Sequence, residues 1–232
     1  RNYINMDREK FDEWLISLIP PDVKIINGCI YKSFDIDSSG VTVRFYHDCK
    51  EYEEKAKILV GADGAFSNVR RQGFSNYHYP KVYITIQEWF KTDCNSNYYG
   101  AIFDKEITDF YSWTIPKEDY LIVGSALKPN DRVREKFQLL KDKLKKHGFK
   151  LENSTKTNGA YLYRPVNSNQ ICIGDNKIAL IGEAAGYISP SSAEGLSYAF
   201  RSSLALAKAL KNDFDNYQNS YSANTKALWM NI

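Results

Sequence analysis

Cysteine, histidine and long apolar runs are all scarce in this chain. The four cysteines (Cys29, Cys49, Cys94, Cys172) lie far apart, form no Cys-x-x-Cys and have no histidine at ligand spacing. That makes idle or buried thiols of a reducing compartment the default reading, with no metal expected. No apolar stretch approaches the roughly 18 residues of a membrane span, and nothing at the start reads as a secretory signal. Without such a signal, the glycosylation-like Asn153-Ser154-Thr155 reads as a chance match. A strong charge imbalance is also lacking: 31 Lys+Arg face 28 Asp+Glu, net +3, too even for a nucleic-acid footprint. The expectation is a soluble, cytoplasmic protein that binds no nucleic acid.

What remains is ordinary globular material, 232 residues with 43% hydrophobic content, enough for one large domain or two small ones. The first residue is Arg1 rather than Met, so the sequence reads as starting inside a longer or processed protein. "REKFDEWLISLI" predicts an amphipathic helix with Phe11, Leu15, Leu18 and Ile19 at helical spacing, stopped by Pro20-Pro21. Strands are predicted at "VKIIN", "CIYKSFDI" and "VTVRFY", with a hairpin at Ser-Ser-Gly 38–40. "KAKILVGADG" reads as a strand whose end is buried on both faces, since Ile58, Leu59 and Val60 do not alternate.

From about residue 78 to 127, aromatic β-favouring segments separated by turns predict an antiparallel sheet. A charged helix follows over 131–147. "KIALIG" is a further buried strand, and "SAEGLSYAFRSSLALAKALK" is a long helix with Leu196, Ala199, Ser203, Ala207 and Leu210 along one face. A last helical piece runs from about 213. This order suggests an α/β (α+β) fold in which a discontinuous first domain is interrupted by a sheet domain.

Two strand ends are punctuated alike. After "KILV" come Gly61, Asp63 and Gly64, then Ser67 as a helix cap and Arg70. Asp63 reads either as a helix-capping aspartate or as a group facing a ligand at the carboxyl end of a buried strand. After "KIAL" come Gly182, Glu183 and Gly186, then Pro190, with Ser191 and Glu194 at capping-box spacing. Gly195 in a first helical turn costs roughly 1 kcal/mol relative to alanine, which makes sense where a flat or anionic ligand lies against the backbone.

Together these segments resemble the FAD-dependent oxidoreductases that include aromatic hydroxylases, flavin-dependent halogenases and geranylgeranyl reductases. "GADGAFSNVRR" is similar to that group's D-G motif, and "IALIGEAAG" to its G-D motif with Glu183 for the usual Asp. "MDREKFDEWL" resembles the arginine-led helix after its first nucleotide-binding unit. The resemblance implies an incomplete Rossmann-like FAD-binding domain at 1–77 and 166–212, an antiparallel-sheet substrate domain at 78–165, and a C-terminal helical segment at 213–232. It places Gly61, Asp63, Gly64 and Arg70 beside FAD. It sets Gly182, Glu183 and Gly186 near the ribityl chain or pyrophosphate, and Pro190, Ala193, Glu194 and Gly195 against the isoalloxazine. Arg8 becomes a further cofactor candidate. The group's G-x-G-x-x-G turn does not occur in these residues, so roughly 80 to 110 upstream residues are expected to be absent, and FAD binding is expected to be weak or missing.

"FYSWTIPK" resembles the reductases' Y-x-W-x-F-P-K signature, with Tyr111, Trp113, Pro116 and Lys117 in place. It also resembles the halogenases' W-x-W-x-I-P. A core strand with Tyr111 and Trp113 on one face is the plainer alternative. The reductase branch implies reduction of carbon–carbon double bonds in an isoprenoid-like apolar substrate, with NAD(P)H or another reductant as donor and transient membrane-surface contact. An apolar tunnel walled by Tyr83, Trp89, Phe90, Tyr98, Tyr99, Phe103, Tyr111 and Trp113 would hold the substrate, with Tyr111 the candidate proton donor. A monooxygenase or halogenase, and a non-catalytic remnant binding an apolar ligand, are the alternatives.

Overall fold

A computed structural model of the chain describes residues 4–92, 98–129 and 132–230. Cys94, and the first residue of the helix expected over 131–147, lie outside them. Helix α1 (Arg8–Ser17) starts at Asp7, whose carboxylate accepts from the N–H groups of Glu9 and Lys10 and satisfies two donors a helix start leaves open. None of its residues is buried, and Trp14 is 54% exposed. Residues 23–27, expected as a strand, are extended but unpaired among the described residues. β propensity alone does not hold a strand that finds no neighbour.

Strands β1 (Ile30–Asp37), β2 (Gly40–His47) and β3 (Lys50–Ala56) form an antiparallel meander. Its first turn is the expected hairpin: Asp37 Oδ1 accepts from the N–H groups of Ser39 and Gly40 at 2.7 and 2.9 Å, an Asx-type turn. The single strand predicted across 55–64 is two. The chain leaves the meander at residue 57 and re-enters as β4 (Leu59–Gly61) in a different sheet. Val60 is 37% exposed, so β4 is not buried on both faces. Helix α2 (Asn68–Gly73) follows, with Ser67 Oγ accepting from the Arg70 N–H as the sequence implied.

The aromatic region builds β5 (Lys81–Lys91), β6 (Gly100–Ile102), β7 (Ser112–Lys117) and β8 (Tyr120–Leu127). A strand not singled out in the sequence, β9 (Ser154–Arg164), joins them beside β5 after helix α3 (Val133–Lys146). The order is β6-β7-β8-β5-β9, antiparallel throughout. One face, with Phe90, Leu121, Val123 and Leu127, packs on Phe137, Leu140 and Leu144 of α3. Strand alternation puts Tyr83, Trp89 and Trp113 on the other face. The wall of eight aromatics therefore divides: Phe90 belongs to the helix-covered face, and Tyr98 and Phe103 are 82% and 77% exposed.

The chain then returns through β10 (Gly174–Asp175) and β11 (Ile178–Leu180), α4 (Gly182–Ala185), α5 (Leu196–Asn212) and α6 (Tyr217–Trp229). β11 pairs in parallel with β4 and antiparallel with β10. Helix α6 fixes this small sheet through two tyrosines: Tyr217 and Tyr221 donate to the Ile178 and Leu180 carbonyls at 3.1 and 2.8 Å. In α5 the buried face is Ser202, Ala205, Leu206 and Ala209, rotated from the predicted one; Ala207 points to solvent. The predicted stripe let small residues stand for core, whereas burial on a helix this rich in alanine is decided by what packs on it. No described helix is long and apolar enough to cross a membrane.

Candidate functional site

The two punctuated segments meet because β4 and β11 are parallel neighbours. The Ile181 N–H donates to the Gly61 carbonyl at 3.1 Å, so both strands end side by side. Glycine is needed at 61 for this approach: a Cβ there would lie 2.6 Å from Leu180 Cδ2 and 3.0 Å from Val69 Cβ. Next to the junction, Gly64 (φ +68°) and Phe66 (φ +62°) are left-handed, as are Gly182 (φ +54°), Gly186 (φ +94°) and Ala193 (φ +54°). Such strain concentrates where surrounding structure over-determines the backbone.

The predicted side chains are largely engaged within the fold. Asp63 Oδ2 accepts from the Asn68 and Val69 N–H groups at 2.7 and 3.3 Å, so it caps α2. Arg70 is fully buried. Its guanidinium donates to the carbonyls of Ala184 (3.2 Å), His78 (3.2 Å) and Gln170 (2.7 Å) and stacks on Tyr79 at 4.8 Å. It steadies the junction, tying α2 to the end of α4 across a hundred residues of sequence.

Glu183 reaches sideways: its Oε1 accepts from the Tyr163 N–H on the free edge of β9 at 2.6 Å. Burial raises its pKa above the usual carboxylate value, with the Tyr163 N–H opposing the shift. A carboxylate with a raised folded-state pKa is penalised when ionised. The penalty is absent below the unfolded pKa and fully present above the folded one. Glu183→Gln is therefore expected to leave stability at pH 7 unchanged or higher, and to remove part of the pH dependence just above the ordinary carboxylate range. Thermal melts of both proteins from pH 4 to pH 8 test this, and a variant that is less stable at every pH would contradict it.

The loop carrying Pro190, Ala193, Glu194 and Gly195 joins the junction to the sheet. Ser191 and Glu194 form no capping box: α5 begins at Leu196, and Glu194 instead accepts from the Ser197 N–H and hydroxyl at 2.7 and 2.6 Å. Two sheet residues hold this loop. Tyr111 donates its hydroxyl to the Ser192 carbonyl at 2.5 Å, and Arg164 Nε donates to the Pro190 carbonyl at 3.2 Å. Arg164 also bonds the Tyr83 hydroxyl and the Asp109 carbonyl. Nothing in the local sequence around 164 marks it, because its partners lie far along the chain.

Ala193 holds a conformation that suits glycine, at a cost of about 1–2 kcal/mol for an L-residue. Ala193→Gly is expected to stabilise the chain by up to about 1 kcal/mol, after the added entropy of the unfolded glycine. A raised melting temperature would show it.

Tyr111 and Trp113 touch, with ring centroids 5.6 Å apart. Trp113 lies flat over Gly124, where a Cβ would fall 2.4 Å from the indole. Trp89 shares their face nearer the other end of the sheet and packs on Tyr120 at 5.9 Å. Arg8 is not drawn into this group; its guanidinium pairs with Asp12 on its own exposed helix at 3.2 Å. Two shallow clefts of about 260 and 280 Å³ lie elsewhere, the first beside Phe45 and Tyr52, the second beside Lys57 and Phe214. Neither is the expected apolar tunnel.

No family model matches the chain. It is homologous to Protein CbrA of Escherichia coli O9:H4 (strain HS), with 36% identity over 232 residues, all of this chain and 63% of that protein. The chain thus spans less than two thirds of that curated relative. Among solved structures, it matches a geranylgeranyl bacteriochlorophyll reductase-like protein from Thermoplasma acidophilum with a TM-score of 0.70 and 16% identity. That match covers 86% of this chain and 53% of the other. p-Nitrophenol 4-monooxygenase from Pseudomonas putida DLL-E4 matches with a TM-score of 0.65 and 18% identity, over 95% of this chain and 62% of the other. At these identities the structural likeness establishes the fold.

Proposed function

We propose that this chain is the flavin- and substrate-facing part of an FAD-dependent oxidoreductase that reduces carbon–carbon double bonds of an isoprenoid-like apolar substrate. The observation that carries the reading is the Tyr111–Ser192 contact, which joins the loop of the G-D segment to the aromatic face of the sheet. The residues fit FAD at its flavin end. Only Oε1 of the half-buried Glu183 has a hydrogen-bond partner among the described residues, leaving Oε2 to accept a ribityl hydroxyl. At Gly64 even an added Cβ would meet nothing within 4 Å. FAD, when bound, supplies the hydride chemistry, with NAD(P)H or another reductant as the source of electrons. The protein's part is to position: Arg70 holds the end of α4, Tyr111 and Arg164 hold the 190–195 loop, and Trp113 offers an apolar surface. Residues 1–77 with 166–212 are assigned to the cofactor and 78–165 to the substrate, with 213–232 bracing the former. A lipid-like substrate implies transient contact with a membrane surface.

Tyr111 acts as a positioning residue in this scheme, because its hydroxyl hydrogen is engaged by the Ser192 carbonyl. In the whole protein, Tyr111→Phe is expected to slow turnover by less than about tenfold, near the worth of one hydrogen bond. A loss of about a hundredfold or more would instead make it the proton donor. The function itself is tested with the longer protein, reduced FAD and an isoprenoid lipid, reading a mass gain of two hydrogens per double bond. Rapid NAD(P)H oxidation with oxygen uptake and no such gain would favour the monooxygenase or halogenase reading, which the fold likeness to p-nitrophenol 4-monooxygenase supports. Retained binding of an apolar ligand without flavin chemistry would favour the remnant reading, which the internal engagement of Asp63 and Arg70 supports.

A further inference from the structure

We infer that Lys117 and Lys156 form an anion site at one end of the aromatic face of the five-stranded sheet, for the charged head of an amphiphilic substrate. The inference rests on the reading above, that this face takes an apolar chain. Trp89 pairs across β5 and β9 with Lys156 and across β5 and β8 with Ile122, which in turn opposes Ile115 on β7. Lys117, two residues beyond Ile115, therefore shares the face. Both ammonium groups lie over the Trp89 ring, Lys156 Nζ at 5.4 Å and Lys117 Nζ at 5.7 Å from its centroid.

Two further features point to an anionic ligand there. Among the described residues, the Trp89 Nε1–H is buried without a hydrogen-bond acceptor, and buried donors are seldom left so. Lys117 uses one of its three donors on the Met6 carbonyl at 3.0 Å, which fixes the ammonium near the indole. Lys117 helps hold the Asp7 carboxylate below its usual pKa, but that carboxylate already accepts from the N-terminus of α1. Carboxylate or phosphate oxygens would bring these ammonium groups an anionic acceptor and, with a small shift of the indole, an acceptor to Nε1. Lys117 lies six positions beyond Tyr111, about 20 Å along a strand. A ligand anchored at the lysines would thus present a carbon some 20 Å from its head to the Tyr111–Ser192 contact.

The test titrates the chain with dodecyl phosphate and with uncharged dodecanol below their aggregation limits, following tryptophan fluorescence. The phosphate is expected to bind at least about tenfold tighter. Lys117→Gln with Lys156→Gln should abolish that preference, while Lys156→Arg alone keeps it; Trp89→Phe should remove most of the signal. Thermal melts confirm that the variants are folded. Equal binding of phosphate and alcohol overturns the anion site but leaves the apolar face standing. A phosphate preference that survives loss of both lysines also overturns it. Binding of neither ligand overturns the site and the apolar-substrate reading together.

Discussion

Replacing Arg70 with leucine is expected to destabilise the chain by about 3–5 kcal/mol, a large part of the 5–15 kcal/mol that holds a typical domain together. The side chain is fully buried, and its guanidinium serves the carbonyls of Ala184, His78 and Gln170. Leucine leaves all three without that donor, and each buried unsatisfied group costs about 1–3 kcal/mol. Arg70→Lys keeps the charge but not the planar fork, so it should lose about 2 kcal/mol. Urea unfolding measures both, as a lower midpoint at unchanged slope. A leucine variant within 1 kcal/mol of the parent would mean that the three carbonyls find water or other donors. The effect on the site should exceed the effect on stability. Ala184 lies at the end of α4, and the loop that meets Tyr111 hangs from that end.

The second large effect concerns flavin. Mixed with FAD and passed through a desalting column, the 232-residue chain should emerge without a flavin absorption band. The sequence contains no G-x-G-x-x-G turn, the element whose backbone and helix N-terminus receive the pyrophosphate. A longer protein carrying that turn should bind at least about a thousandfold more tightly, a difference of some 4 kcal/mol. A titration comparing the two decides the point. A coloured protein from the short chain would mean that residues 61–71 and 182–195 suffice to hold the cofactor.

Each of these expectations joins something legible in the sequence to something that was not. Ser67 could be read as a helix cap because capping is local, needing only a side-chain oxygen three residues before an N–H. The Asp37–Gly40 turn was legible for the same reason. Asp63 stood open between cap and ligand contact. The fold assigns its carboxylate to Asn68 and Val69, a bond across a loop bent by left-handed Gly64 and Phe66. The expected strand at 23–27 failed because a strand needs a neighbour, and no residue type supplies one. The face of α5 was misjudged because alanine and serine carry too little apolar weight to say which side is covered.

Determined by the sequence alone were the two punctuated strand ends, their order, the antiparallel aromatic region and the absence of a G-x-G-x-x-G turn from these residues. All follow from local rules: backbone freedom at glycine, alternation in strands, capping at helix starts. Tertiary structure alone decided that β4 and β11 lie side by side, that Arg70 serves the carbonyls of Gln170 and Ala184 a hundred or more positions away, and that Glu183 reaches the edge of β9. It also decided that the Tyr111 hydroxyl donates a hydrogen bond to the Ser192 carbonyl and that two lysines lie over one indole. These contacts join residues from about 20 to more than 100 positions apart, and they exist only once packing has brought the segments together. Local propensity carries no information about such pairings, because the energy that selects them is shared across the whole folded chain.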